Sequence, residues 1–374
     1  MADIYLDANA TTPALPEVAD AVHEALTTGF ANASSAHRRG GSGRDARERA
    51  REQVAELIGA EPVHVVFTSG GTEANNAVLA AAAAEGRHIV ANAGEHASVL
   101  APIEHYGIAH SLLPLAPTGR LDPADLDRAL ADAGPALVAV HLVNSETGIV
   151  QPAADLVAVA HRHGARVLVD AAQAVGRLAI DMDELGADYL SFSGHKLHGP
   201  PGTGALVLSH GAPPPVLIAG GGQERDRRSG TENLPGLVGL GIACTRRHEN
   251  FDAARTKLRT LRDRFEQKLT AALDNVAVNG NTSRVVNTSN LRFSGVDGQA
   301  LMAQLDAAGI QCSHTSACSS RKLEPSATLL AMGLNEDEAF SSLRFSFSIL
   351  NTAEEVDHAV DRIVSVVERL RALC

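Results

Sequence analysis

The sequence predicts an α/β protein with a mostly parallel, covered sheet, followed by a smaller α+β module. Three observations carry that expectation. Short strands alternate with helical runs from residue 63 to residue 208, the pattern of βαβ units. A dense charge pattern from Arg246 to Lys268 then marks an exposed connecting helix. Beyond it the strands and helices no longer alternate in that way. The boundary between the two parts falls near residue 250. A large domain is expected over 16–250, and a small one over 1–15 plus 251–374.

In chain order, Ile4 to Asp7 reads as a short strand, and Pro16 to Thr27 as a helix with Pro at its start. Asn32 to Gly43 is a polar, Gly- and Ser-rich loop. Arg44 to Ile58 is an amphipathic helix that Gly59 stops. The alternating part follows: strand Val63–Thr68, helix Glu73–Ala84, strand His88–Ala91, helix Ser98–His105, strand Ala109–Leu115 and helix Pro123–Ala131. Strand Ala136–Val143, helix Pro152–His163, strand Arg166–Val169, a short helix or turn Leu178–Leu185, and strands Tyr189–Phe192 and Ala205–Leu208 complete it. A Gly- and Arg-rich loop reaches Gly230, and one long helical stretch runs from Leu234 to about Leu273. In the last part strands are expected at Asn287–Phe293, Ile310–His314 and Ser342–Phe347, with helices at Asp297–Ala308, Pro325–Met332 and Ala353–Leu370.

Composition narrows the function classes. The apolar fraction of the 374 residues is 45%, enough for a substantial core, but aromatics are only 3% and Trp is absent, so packing rests on Ala, Val, Leu and Ile. A net charge of −12 argues against nucleic acid or an anionic membrane as the main partner. No apolar run approaches the ~20 residues of a membrane helix, and the first eleven residues carry no secretory signal. The four cysteines, Cys244, Cys312, Cys318 and Cys374, form no Cys-x-x-Cys pair. Reduced thiols in the cytoplasm are expected, with neither a disulfide framework nor a metal site.

The chemistry-bearing residues follow strands, where ligands of open α/β sheets bind. Thr68-Ser69-Gly70-Gly71-Thr72-Glu73 joins a strand to a helix through two glycines. It is suited to hold a phosphate on backbone N–H groups, and equally to form a tight turn with Thr72 as helix cap. Asp170 ends the apolar strand Val167–Val169, where a carboxylate can pair with a protonated heterocycle nitrogen or cap the next helix. His96 and Asn144 stand in comparable loops. The chain has only four lysines, 196, 257, 268 and 322. Lys196 alone lies between an apolar strand and a Gly-Pro turn, within Tyr189 to Pro200. Burial there makes a lysine a usable amine nucleophile or base, although a lysine can also snorkel from a strand end. A phosphate cradle, an acid, a lysine, a His and an Asn after strands of one sheet suit a cofactor with a phosphate, a ring nitrogen and an aldehyde. Pyridoxal phosphate has all three.

These residues resemble the class V aminotransferase-like, fold-type I pyridoxal-phosphate enzymes, and most closely the cysteine desulfurases of the NifS/IscS type. The motifs run in the family's order along nearly the whole chain: Tyr5-Leu6-Asp7 with Ala10-Thr11-Thr12, Phe67 to Glu73, Glu95-His96, Asn144 to Gly148, Asp170 with Gln173, and Ser191 to Gly199. Arg228 to Thr231, Ser316-Ala317-Cys318, Leu323 to Ser326 and Ser342 to Phe347 continue them. The resemblance implies a seven-stranded sheet in the large domain and a catalytic cysteine loop in the small one. It implies that Lys196 carries the cofactor as a Schiff base, that Asp170 holds the pyridine nitrogen, that Gln173 hydrogen-bonds the phenolic oxygen, and that His96 stacks on the ring and aids proton transfer. Gly71, Thr72, Ser193 and His195 would bind the phosphate, and Thr231 would reach the phosphate of the other subunit in a homodimer. Asn144 and Arg344 would hold the substrate carboxylate.

Cys318 discriminates among reactions on this fold. It stands in the polar loop Ser313 to Lys322, where a thiolate could attack the sulfur of L-cysteine and leave a persulfide and L-alanine; Arg321 and Lys322 could favour the thiolate or equally face water. Cys312, in an expected strand, reads as structural. His314-Thr315, Arg321-Lys322 and Pro201 depart from the commonest family pattern, which leaves the sulfur-acceptor protein open among iron–sulfur, thiocofactor and tRNA-thiolation pathways. A selenocysteine lyase, or another enzyme of the same fold, is the alternative. Retention of Lys196, Asp170 and Arg344 argues against a catalytically silent scaffold.

Overall fold

The computed structural model describes residues 3–216, 218–280, 282–314 and 325–373. The chain opens with β1 (Ile4–Tyr5), α1 (Pro16–Thr27) and α2 (Arg38–Leu57). The alternating part is β2 (Val65–Thr68), α3 (Gly71–Ala84), β3 (His88–Asn92), α4 (Ala97–His105), β4 (His110–Leu113), α5 (Pro123–Leu130), β5 (Ala136–His141), α6 (Ala153–Arg162), β6 (Arg166–Asp170), α7 (Met182–Leu185), β7 (Tyr189–Ser193) and β8 (Gly204–Leu208). The remainder is α8 (Leu234–Glu249), α9 (Phe251–Ala272), β9 (Val276–Val278), β10 (Thr288–Phe293), α10 (Gly298–Ala307), β11 (Ile310–Gln311), α11 (Ala327–Ala331), α12 (Glu336–Phe340), β12 (Ser342–Ser346) and α13 (Ala353–Arg371).

Seven strands form one sheet in the order β2-β8-β7-β6-β5-β3-β4. β3 to β7 are mutually parallel, and β8 runs antiparallel to both β7 and β2. The alternation of side chains along each strand divides the core. Val138, Val140, Val167, Val169, Leu190 and Phe192 pack on one face. Leu137, Ala139, Leu168, Tyr189 and Leu206 pack on the other, against Ala74, Val78 and Leu79 of α3. Since β4 and β5 flank β3 on opposite sides, the direction of winding reverses there. The carboxyl ends of β3, β5, β6 and β7 share one edge with the end of β2, which is the edge where the chemistry-bearing residues cluster.

A second core gathers Ile4, Leu6, Leu258, Phe265, Phe293, Phe345, Phe347 and Ile363, from both ends of the chain. Phe265 lies 4.9 Å from Phe345 and 5.3 Å from Phe347 between ring centroids. Around it β12-β10-β9 form an antiparallel sheet, and β1 pairs in parallel with β11.

Several boundaries differ from the sequence reading. α2 begins at Arg38, inside the expected loop, despite the glycines at 40, 41 and 43. His37 caps it by accepting the Gly40 N–H at 3.2 Å, and a Cβ on Gly40 would collide with the Ser35 carbonyl, so packing overrides helix propensity. The long stretch from Leu234 divides at Asn250, whose side chain donates back to the Arg246 carbonyl at 3.0 Å and closes α8. β9 and α12 are additional elements. Among the described residues no helix is long and apolar enough to cross a membrane.

Candidate active site

The short turn Gly194–Lys196 follows β7 directly. It places half-buried Lys196 against the first loop of the chain, where Nζ donates to the carbonyls of Asn9 and Ala10, the latter at 2.8 Å. Asp170 ends the neighbouring β6 and is 6% exposed. Its Oδ1 accepts the Ala172 N–H at 2.9 Å, and its Oδ2 accepts from Asn75 Nδ2 at 2.8 Å. Asn75 also donates to Ser98 Oγ at 2.9 Å and accepts from Ser191 Oγ at 2.6 Å. Ser98 in turn lies 2.8 Å from His96 Nδ1. One buried amide thus joins the acid to the His.

His96 caps α4, its Nδ1 accepting the Ser98 N–H at 3.1 Å. Beside it, Glu95 accepts from His141 twice, from the backbone N–H at 2.9 Å and in a 3.0 Å ion pair with Nδ1. Burial pulls the His141 pKa down, but the Glu95 charge and hydrogen bond outweigh it and leave it raised. His141 is the register partner of Asp170 across β5 and β6.

The amino end of α3 has no side-chain cap. The Gly71 N–H donates to Ser193 Oγ at 2.8 Å, while the N–H groups of Thr72 and Glu73 make no hydrogen bond among the described residues. A Cβ on Gly204 would approach Gly70 Cα to 2.7 Å, so a bare strand is needed under this turn. His195 Nδ1 lies 3.1 Å from Thr11 Oγ1. Burial, with Lys196 and Arg177 adding, lowers its pKa to about 4. Gln173 donates from Nε2 to the Asn9 carbonyl at 3.0 Å, and its Oε1 accepts from Arg177.

Arg344 and Asn144, expected to hold a substrate carboxylate, are already engaged. Arg344 reaches Asp7 Oδ1 at 2.6 Å and the Ser145 carbonyl at 3.1 Å, and its buried Nε has no hydrogen-bond partner among the described residues. Asn144 Oδ1 accepts the N–H groups of Glu146 and Thr147, each at 3.0 Å. Its Nδ2 makes long contacts of 3.3 Å to the Gly94 carbonyl and 3.4 Å to Thr328 Oγ1. Thr231 is exposed, and none of the described contacts joins it to the other site residues. Its loop is fixed by the buried pair Arg51–Glu224 at 2.7 Å and by Arg228–Glu73 at 2.9 Å, which ties it to α3. Cys318 lies outside the described residues. The described chain on either side is anchored: the Arg344 N–H donates to the Ser313 carbonyl at 2.8 Å, and Ser326 donates from Oγ to Glu146.

This set fits pyridoxal phosphate. The uncapped amino end of α3 suits an anion, and Asn75 on the same helix fixes Asp170 one turn further on, about 6 Å along the axis. A protonated ring nitrogen beside Asp170 and a phosphate at Gly71 would match that interval. Asn9, Asn75 and Arg177 were not singled out by sequence reasoning. Asn75 carried a signal, being polar one turn into a helix that is otherwise mostly apolar. Asn9 acts through its backbone carbonyl, which has no signature.

Known proteins resemble this chain over nearly its whole length. The model of the family described as aminotransferase class-V matches residues 4–359. A cysteine desulfurase of Trichormus azollae is 42% identical over 380 residues, covering 100% of this chain and 95% of the relative. Cysteine desulfurase IscS of Dictyoglomus turgidum is 37% identical over 379 residues, covering 99% of this chain and 96% of the relative. The solved structure of a NifS-like protein from Rickettsia africae superimposes with a TM-score of 0.90 at 30% identity, covering 98% of this chain and 99% of that one. The chain belongs to the aminotransferase class-V family, among its cysteine desulfurases.

Proposed function

We propose that this protein uses pyridoxal phosphate to desulfurate L-cysteine, passing the sulfur to Cys318 and releasing L-alanine. The observation that carries the cofactor assignment is the Asn75 amide. It lies on the helix whose amino end suits a phosphate, and it holds the carboxylate suited to a ring nitrogen. The cofactor supplies an electron sink that labilises bonds around the substrate's α-carbon.

In this reading Lys196 holds the cofactor covalently and moves protons at the substrate's α-carbon. Asp170, kept as an acceptor by Asn75, favours a protonated ring nitrogen. Gln173 donates to the phenolic oxygen, and His96 packs on the ring. Gly71, Thr72, Ser193 and His195 take the phosphate, the imidazole acting as a neutral group. Arg344 binds the substrate carboxylate beside Asn144, exchanging its contact with Asp7 for a bidentate one. The Cys318 thiolate attacks the substrate sulfur. The substrate's carbon–sulfur bond breaks, a sulfur–sulfur bond forms, and carbon takes the proton, so cysteine and thiol become alanine and persulfide. The persulfide then passes to an acceptor protein. We further propose a division into units 16–250 and 1–15 plus 251–374, a homodimer in which Thr231 serves the opposite site, and a reducing cytoplasmic setting.

The test is to load the purified protein with pyridoxal phosphate, add L-cysteine, and measure alanine and protein persulfide. Both should form in equal amounts in the first turnover. Absence of alanine would refute the assignment. Undiminished alanine and persulfide in Cys318→Ser would remove Cys318 as the sulfur acceptor, and a wild-type absorption band in Lys196→Ala would remove Lys196 as the anchor.

A further inference from the structure

Arg177 has none of the roles above, yet it is 3% exposed directly behind the site. Its Nη1 donates to the Gln173 carbonyl at 3.2 Å and to Gln173 Oε1. Its Nη2 lies 3.5 Å from the Ala8 carbonyl and 3.4 Å from the Lys196 carbonyl. Every acceptor is neutral, and among the described residues no carboxylate pairs with it. The charged and titratable groups around it are Arg247 of α8, Arg344 of β12 (itself paired with Asp7), Lys196, and the imidazoles of His195 and His198. Among the described residues Arg247 also has no carboxylate partner: its Nε donates to the Gly176 carbonyl, and its buried Nη1 makes no hydrogen bond. Burial, with Arg247 and Arg344 adding, lowers the Arg177 pKa to about 9, which leaves the guanidinium charged at neutral pH.

A buried cation without a counter-charge disfavours the fold that holds it. Two features of this one point toward the ligand side. A guanidinium only donates, so its hold on Gln173 Oε1 fixes the amide with Nε2 as its donor end, one hydrogen going to the Asn9 carbonyl and the second left for a ligand. The same guanidinium touches the backbone of Lys196, so its field acts on whatever proton the Lys196 nitrogen carries.

We propose that Arg177 is a positioning residue for the cofactor, locking the Gln173 amide as a donor toward the phenolic oxygen and, by its uncompensated charge, weakening proton binding at the Lys196 nitrogen. This rests on the reading that pyridoxal phosphate binds at Lys196. The anionic oxygen facing Gln173 supplies the counter-charge that the chain itself withholds. The nitrogen bonded to the cofactor then loses its proton at lower pH than it would beside a neutral residue.

The experiment is a visible-absorption titration of cofactor-loaded wild type, Arg177→Gln, Arg177→Met and Arg177→Lys. The pH midpoint of the cofactor band should rise by about 1 unit or more in the two neutral variants and stay near wild type in Arg177→Lys. A loaded neutral variant with an unshifted midpoint overturns the proposal. So does failure of both neutral variants to fold, since the charge would then serve the fold. Wild-type protein that takes up no pyridoxal phosphate overturns the functional reading itself, and this is seen before any variant is tested. A loaded wild type with unshifted variants overturns only the role of Arg177.

Discussion

His198 makes the stability of this protein depend on pH in a calculable way. The residue lies two positions beyond Lys196 with φ of 68°, its N–H donating to Thr12 Oγ1 at 2.8 Å and its Nδ1 to the Pro13 carbonyl at 2.7 Å. Burial lowers its pKa to about 4; the bond to Pro13 works against this, and the charges of Arg247 and Arg177 add to it. In the unfolded chain a histidine titrates near 6.5. Between those values the unfolded chain binds a proton that the native protein refuses. The contribution is therefore intact above about pH 6.5 and is lost as pH falls toward 4. At about pH 5 the loss from this group is about 2 kcal/mol, approaching about 3 kcal/mol below pH 4. His198→Asn removes the titration and keeps a residue tolerant of left-handed backbone. Urea unfolding of both proteins, at about pH 7.5 and about pH 5, isolates the effect, because His195 and His141 titrate in both. The wild type should lose about 2 kcal/mol more than the variant between the two conditions. Equal losses, within about 0.5 kcal/mol, would refute the argument that His198 is held neutral by burial.

Two further outcomes follow from buried groups. Glu224→Ala should cost about 2–3 kcal/mol in urea unfolding, because it removes the buried carboxylate that meets the Arg51 guanidinium with both oxygens, at 2.7 and 2.8 Å, and leaves it only the part-exposed Glu48 at 3.0 Å as counter-charge; the double variant Arg51→Met, Glu224→Leu should recover most of that loss, and a single variant as stable as wild type would show the pair to be idle. Burial pushes the Cys312 pKa up to about 12 and raises that of Cys244 as well, so iodoacetamide at about pH 8 should label both at least about 10³-fold more slowly than an ordinary thiol; mass-spectrometric labelling of Cys312 at the rate of a free cysteine peptide would contradict this.

Much of the site was legible because its residues sit where the chain changes direction. Lys196, Asp170 and Gly71 all follow apolar runs at the ends of strands, so strand-end geometry alone grouped them. What remained hidden depends on distant partners. The Asn9 carbonyl that receives Lys196 and Gln173 is separated from them by 187 and 164 positions, and no local pattern reports which backbone oxygen a fold will bring alongside. Arg177 read as one more arginine in an arginine-rich chain, since burial without a counter-charge is a property of packing. The start of α2 was obscured by glycines that are there for close contact, and β9 and α12 were too short to carry a period. For Arg344 the strand was legible, but its bond to Asp7 at the other end of the chain was not.

The first loop also constrains how the molecule is made. The Asn9 N–H bonds to Ser346 Oγ at 2.9 Å, across 337 positions, and β1 pairs with residues 310 and 311. A ribosome adding about 5–20 residues per second needs about 20–70 s to travel that interval. Throughout it the loop that carries the carbonyls facing Lys196 lacks its bonds to β11 and β12. The first loop can therefore reach its final place only after the chain through β12 has emerged, so a nascent chain stalled before β12 should be unable to hold the proposed pyridoxal phosphate, however well its large sheet has formed.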